Sequence, residues 1–259
     1  MLELQENKDV VLVLTGCIIP NCNDTVKIRN TKERCAQYKR AIEWYYNNTP
    51  YKIVFCDNSG YSLASDFRNR NDRIEILTYN SGWEGFDRSK GYKEMEILEY
   101  VWSNSQYVKH GKLFVKITGR LILLNICKII NYLRNKSVKQ MVCSYQNSRK
   151  PFSDCKFIFF TNNFWPILLS YKEKIYQSNN FEHITYDAIK EAVAKGIQFI
   201  YPPVLDNVDG IGGGSGIIYN KSKLDYFMSN IKHQIRRFLF KIKVLPYIKN
   251  EKDSLCIKA

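Results

Sequence analysis

The chain has 259 residues, 45% of them hydrophobic and 14% aromatic, which is enough apolar side chain for one sizeable core and too much for a disordered chain. Its 39 lysines and arginines outnumber 25 aspartates and glutamates, giving a formal charge of +14, so the expected partner is anionic: nucleic acid, acidic lipid headgroups or a phosphorylated small molecule. The eight cysteines (17, 22, 35, 56, 127, 143, 155 and 256) include no Cys-x-x-Cys pair and the three histidines (110, 183 and 233) lie far apart, which argues against a zinc site and for reduced, packing thiols in a cytosolic protein.

Residues 1–9 are polar and acidic, and the short apolar run after them lacks the pattern of a signal peptide. Nothing approaches the roughly 18 apolar residues of a membrane span. Residues 10–14 read as a first buried strand, closed by Thr15-Gly16, where backbone can approach a ligand. After a polar loop over 20–30, Thr31 is placed as a helix N-cap, with Cys35, Tyr38, Ala41, Ile42 and Tyr45 behind it at helical spacing. A second strand over 51–56 ends at Asp57-Asn58-Ser59-Gly60. Strand, helix and strand make a βαβ unit, whose right-handed crossover sets the two strands parallel.

Residues 74–77 form a short third strand, and 87–93 lead into a helix bearing Met95, Ile97, Leu98 and Val101. Phe114, Val115 and Ile117 then mark a central strand that runs into Thr118-Gly119-Arg120. Further along, 122–133 reads as a helix, 141–144 and 156–160 as strands, 163–176 and 186–195 as helices, 199–201 as a strand and 210–216 as a glycine-rich loop. From 224 to 244, Leu224, Phe227, Met228, Ile231, Ile235, Phe238, Leu239 and Ile242 share one helical face while Lys232, Arg236, Arg237, Lys241 and Lys243 crowd the remainder. That pattern suits a helix lying on an anionic membrane surface, or a terminal helix docked on the core with a solvated basic side.

Open α/β sheets bind ligands at the carboxyl ends of their strands. Thr15, Asp57, Asn58, Lys90, Lys116, Thr118 and Arg120 all follow strands or precede a helix, so they are expected along one edge. Asp57 or Asn58 can hydrogen-bond a base or ribose, while Lys90, Lys116 and Arg120 can neutralise a diphosphate. The ligand so described is a nucleotide. The glycine loop lacks the Gly-Lys-Ser/Thr of a P-loop, which argues against ATP hydrolysis.

A resemblance rests on the order of these segments: Arg34 and Tyr38 on the first helix, 54–59 on the second strand, Lys90-Gly91 before a helix bearing Glu94 and Glu96, and Lys116-Ile117-Thr118-Gly119-Arg120. Ser153-Asp154-Cys155-Lys156, Phe181-Glu182-His183 and 202–216 extend it. Over residues 10–220 the chain resembles bacterial glycosyltransferases of surface-polysaccharide clusters (capsule, O-antigen, lipooligosaccharide) with a GT-A-like fold. The resemblance implies a single α/β, Rossmann-like GT-A-type domain over 1–220 with a mixed, mostly parallel central sheet, followed by a basic amphipathic C-terminal helix and tail over 221–259. It also implies transfer of a sugar from a nucleotide-sugar donor to a lipid-linked or oligosaccharide acceptor, at the inner, cytoplasmic face of the cell membrane.

Members of that class carry an Asp-x-Asp that holds a divalent cation near the position occupied here by Lys116 to Arg120. Its absence leads us to expect a metal-independent enzyme in which Lys116 and Arg120 stabilise the leaving group. Mn²⁺ or Mg²⁺ on Asp154, or on Asp206 with Asp209, is the alternative. Inversion needs a general base; Glu182, with His183 beside it, is the candidate, and Asp154 the second. Glu182 also reads as a helix-start carboxylate favoured by the dipole. Two other readings are carried. A sugar nucleotidyltransferase would favour a glycine-rich loop with a lysine after the first strand, which 15–18 do not supply. A nucleic-acid-binding protein is suggested by the charge and 18 tyrosines, but no RNP-type strand, helix-turn-helix or finger is present, so nucleic acid is not the expected partner.

Overall fold

The computed structural model describes residues 9–20, 26–81, 89–136, 138–147, 150–176, 179–212, 216–220 and 222–241. β1 (Val10–Gly16), α1 (Thr31–Asn48) and β2 (Lys52–Asp57) open the chain, and β1 and β2 pair in parallel from Val11 with Lys52 to Gly16 with Asp57. Asn30 caps α1 by accepting from Glu33 N. Thr31, expected to be the cap, is therefore the first helical residue. β3 (Ile74–Thr78), α2 (Lys90–Asn104), α3 (Gln106–His110) and β4 (Leu113–Thr118) follow.

β5 (Ile122–Leu123) and α4 (Ile126–Arg134) divide the stretch expected to be one helix. Ile122 and Leu123 are extended because they pair with Asp209 and Val208. Then come β6 (Met141–Gln146), β7 (Ser153–Thr161), α5 (Phe164–Ser170), α6 (Phe181–Ala194), β8 (Gln198–Ile200), β9 (Val208–Ile211), β10 (Ile218–Tyr219) and α7 (Lys223–Lys241). α5 stops at Ser170 and a 3-10 turn, Lys172–Lys174, follows it. α6 starts five residues earlier than expected, because Asn180 accepts from His183 N and caps it. Gly210 and Ile211, expected in a loop, complete β9; residues 213–215 lie outside the described residues, as do Asp87, Arg88 and everything after 241.

The main sheet has seven strands in the order β3-β2-β1-β4-β7-β6-β8, and a small sheet runs β10-β9-β5. Every neighbouring pair of the main sheet is parallel except the two made by β7. The expected α/β class, with a mixed and mostly parallel central sheet, is what the chain forms. All seven residues of β1 are buried, because helices cover both faces, and a strand so placed must be apolar throughout. Val11, Val13, Phe114, Ile158 and Phe160 face Met95, Leu98, Trp165, Ile184 and Ala188 of α2, α5 and α6. Leu12, Leu14, Phe55, Val115, Ile117 and Phe157 face Tyr38, Ile42, Tyr45 and Ile129 of α1 and α4. Each such fully buried side chain stabilises the fold by about 1.5–3 kcal/mol.

α7 docks by its polar side. Tyr226 OH donates to Leu205 O (3.0 Å), Asn230 Oδ1 accepts from Leu205 N (3.0 Å), Gln234 Nε2 donates to Pro203 O (2.8 Å) and Arg237 Nη2 to Tyr132 OH (2.6 Å). His233 Nε2 lies 3.0 Å from Pro202 O, and Phe240 stacks on Tyr201. The apolar stripe expected to pack on the core or on a membrane faces away from the core.

Candidate active site

β1, β2 and β4 end at one edge of the sheet. β7 runs the other way, so it begins there: Ile117 pairs with Phe157, and Gln146 at the end of β6 pairs with Ser153. Thr15, Asp57, Asn58 and Thr118 therefore share that edge, as expected, and Asp154 at the start of β7 joins them. Which face each side chain takes decides what it can do.

Lys116 is fully buried and turned towards α2 and α6. It forms an ion pair with Glu94 of α2, donates to Cys155 O (2.6 Å), and lies 3.4 Å from Thr118 Oγ1. Thr15 Oγ1 donates to the same Glu94 oxygen (3.0 Å). The starts of α2 and α6 can approach because residue 91 is glycine; a Cβ there would stand 2.9 Å from Phe181 Cβ and N. A buried cation already matched by a carboxylate is not a free clamp for a diphosphate, so the role expected of Lys116 is corrected to holding Glu94 in place.

Arg120 goes the other way. Strict alternation would put 116, 118 and 120 on one face, but β4 ends at Thr118 and Gly119 presses so close to β1 that a Cβ would stand 2.6 Å from Thr15 O. The turn swings Arg120 to α1, where Nη1 donates to Gln37 Oε1 (3.1 Å) and the guanidinium lies 5.6 Å from the Tyr38 ring centre. Burial lowers its pKa, Tyr38 opposes that shift, and Arg34 adds to it. Arg34 Nε donates to Cys17 O (2.8 Å), and Cys17 N donates to Tyr38 OH (3.0 Å). This group fixes the loop after β1. Lys116 and Arg120 lie on opposite faces of the sheet, and the expected joint clamp is not formed.

Asp57 is also a structural anchor. It is fully buried, with Oδ2 accepting from Ile18 N (2.7 Å) and Oδ1 from Ser59 N (2.8 Å), Ser59 Oγ (2.5 Å) and Tyr61 N (3.3 Å). Its lone pairs are taken up in tying the loop after β1 to the loop after β2, which leaves none free for the base or ribose contact expected of it. Asn58 is 2% exposed, and its Oδ1 has no hydrogen-bond partner among the described residues. Thr78 Oγ1, Tyr79 OH and Ser81 Oγ, from β3 and the turn after it, are also buried with no hydrogen-bond partner among the described residues. Ser81 N donates to Asn58 O (3.1 Å), which joins the two segments. An orphaned acceptor costs about 1–3 kcal/mol, and a ligand N–H or O–H would remove that cost. Lys90 is exposed at the first position of α2.

On the other side of β7 lies a cleft of about 590 Å³, with Tyr145, Phe152 and Tyr201 as its aromatic lining, Asp154 and Asp206 as its carboxylates, and Lys232 and Arg236 entering from α7. Lys156 pairs with both Asp154 (2.8 Å) and Asp206 (3.2 Å). Burial works against its charge, but the two carboxylates outweigh burial and raise its pKa. Asp209 pairs instead with Arg40 of α1. Asp154 is thus held by a lysine, and Asp206 and Asp209 have different partners, which counts against either placement as a cation site. Among the described residues no group of three or more His, Cys, Asp and Glu is placed to hold a metal ion.

Glu182 and His183 sit in the first turn of α6, not before it. Burial raises the pKa of Glu182; its own backbone N–H and Lys116 oppose the rise, and Glu94 and Asp154 add to it. Glu182 therefore feels both the Glu94–Lys116 pair and Asp154 in the cleft. His183 Nδ1 lies 2.7 Å from Asn180 Oδ1. Because a carbonyl oxygen only accepts, Nδ1 carries a proton. The His183 ring meets Phe152 of the cleft edge-on at 5.7 Å. Glu94 is the residue that sequence reasoning passed over as a mere helix marker. A lysine in the middle of an apolar strand calls for a carboxylate partner, and that signal could have found it.

No protein-family model matches the sequence, and no curated protein does. Among solved structures the chain is similar to the inositol-1-phosphate CTP transferase from T. maritima, at 13% identity and TM-score 0.45 over 87% of this chain and 96% of that one. It is also similar to a glycosyltransferase involved in the glycosylation of the major capsid of PBCV-1, at 9% and 0.42 over 74% and 80%. A protein described as a nucleotide-diphospho-sugar transferase, from Desulfovibrio desulfuricans G20, gives 7% and 0.46 over 74% and 79%. At these values the likeness concerns the path of the chain alone.

Proposed function

We propose that the protein is a glycosyltransferase that moves a sugar from a nucleotide-sugar donor to an oligosaccharide or lipid-linked saccharide acceptor seated in the cleft, with inversion. The observation that carries this reading is Glu182 in the first turn of α6, a half-buried carboxylate that feels both Glu94, held by Lys116 and Thr15, and Asp154 of the aromatic-lined cleft. Asn58 accepts from the base or ribose. The diphosphate lies towards Lys90 and the N-terminal turn of α2, where backbone N–H groups and the helix dipole favour negative charge. Glu182 takes the proton of the acceptor hydroxyl as its oxygen bonds to the anomeric carbon, and the bond to the nucleoside diphosphate breaks with its electron pair leaving on the phosphate oxygen. His183, edge-on to Phe152 of the cleft, orients the acceptor. The lack of an Asp-x-Asp in the sequence, and of a cluster of free carboxylates among the described residues, favours a reaction without a divalent cation.

The test is a thermal-shift screen against UDP-, GDP- and CMP-sugars, each with EDTA or Mn²⁺, followed by assay of transfer. One nucleotide class should raise the midpoint by about 5–10 °C at a hundredfold excess over its Kd, and the shift should survive EDTA. Release of diphosphate from a nucleoside triphosphate and a sugar phosphate would instead make the protein a nucleotidyltransferase and overturn the proposal.

A further inference from the structure

α7 is docked the wrong way round for a helix that merely completes a core. Its polar residues Tyr226, Asn230, His233, Gln234 and Arg237 bind the domain, while Leu224 (70% exposed), Phe227 (59%), Met228 (51%), Ile231 (42%), Ile235 (56%) and Phe238 (59%) point outwards. The spacings of three and four residues put these six on one face, over a length of about 21 Å at 1.5 Å per residue. Soluble surfaces rarely leave so continuous an apolar stripe bare.

We infer that α7 is an in-plane anchor that seats the protein on an anionic bilayer surface. Charge decides between this occupant and a second copy of the chain. On the helical wheel Lys232 and Arg236 follow one border of the stripe and Lys223 the other, all of them exposed, while the one acidic residue of the helix, Asp225, accepts from Ser222 Oγ. Lys232 and Arg236 have no salt bridge among the described residues. Pairing two stripes would bring these cations against their own copies, whereas lipid phosphates neutralise them as the apolar side chains enter the acyl boundary. No helix among the described residues is long and apolar enough to cross a membrane, so the helix lies in the surface and does not span it.

Lys232 and Arg236 also line the cleft, so immersion of the stripe brings the mouth of the cleft to headgroup level. If the transferase reading holds, on which this clause alone rests, the acceptor is a saccharide carried on a membrane lipid, with its anionic link beside those two cations.

The experiment is co-sedimentation of the full chain with vesicles of phosphatidylcholine alone and of phosphatidylcholine with phosphatidylglycerol, for the wild type and for Ile231→Asp/Ile235→Asp. Both replaced side chains are exposed, and an unchanged thermal midpoint verifies that the variant folds. Wild type should partition at least about tenfold more strongly onto the anionic vesicles, less so as salt rises, and the double variant should lose about tenfold or more. Equal partitioning of the two proteins, equal binding to both vesicles, or no binding to either would overturn the anchor. So would a wild-type dimer that the double variant dissolves, since a second copy would then cover the stripe. Nucleotide-sugar thermal shifts on the same samples separate the two proposals, because their absence counts against the transferase reading and leaves the vesicle result intact.

Discussion

Lys116 of β4 and Glu94 of α2 form an ion pair in which the lysine side chain is wholly buried and the glutamate is 25% exposed. Removing one partner from a buried pair is costly because it strands the other charge. Lys116→Met should therefore destabilise the protein by about 3 kcal/mol, the low end of the usual range because water reaches Glu94. Adding Glu94→Gln should recover much of that loss. Urea denaturation of the two single variants and the double variant gives the coupling energy; a Lys116→Met protein as stable as wild type would show that the pair does not hold the edge together.

Asn58 makes the opposite prediction for stability. Its Oδ1 has no internal bond to lose, so Asn58→Leu should leave the free protein within about 1 kcal/mol of wild type. The nucleotide-induced rise in midpoint should vanish. An unaltered shift in that variant would move the base or ribose away from β2.

The pH dependence of Glu182 has an unusual sign. Burial holds its folded-state pKa above the unfolded value, so between the two values the folded protein binds more protons and stability falls as pH rises. The strain on Glu182 is absent in acid and complete above the folded pKa. Glu182→Gln should thus stabilise the protein at neutral pH, lose that advantage below the ordinary carboxylate range, and lower kcat by about 10²–10⁴-fold. In the wild type the acid limb of kcat should lie above the ordinary carboxylate range. Denaturation of both proteins from acid to neutral pH checks the first part, and a kcat profile with no acid limb would remove Glu182 as the base.

The parts of the fold that could be read from the chain are those whose signals are local. β1, β2 and β4 are covered on both faces and so announce themselves as apolar, β-branched runs, and the crossover through α1 sets their direction. Ile122 and Leu123 could not be read in the same way. They continue a helix by spacing, and only their pairing with β9, more than eighty residues on, makes them a strand. The site divides similarly. Thr15, Asp57, Asn58 and Lys116 were placed at the right edge by strand order, yet the partners of Lys116 (Glu94 and Cys155 O) and the Ile18 N–H that binds Asp57 come from distant segments. Arg120 was misplaced because a turn at Gly119 interrupts the alternation on which the clamp depended.

β7 lies between β4 and β6 although β6 comes first in the chain. A fragment ending at Arg134 would carry β1 to β5 but leave β4 as a bare apolar edge, open to pairing with other chains. A fragment beginning at Met141 would carry β6 and β7 with β7 unpaired on its inner side. The two halves are therefore poor candidates for separate expression. Hybrids with a structurally similar protein would have to keep the β4–β7 seam from a single parent, and swap only the surface segments on either side of it.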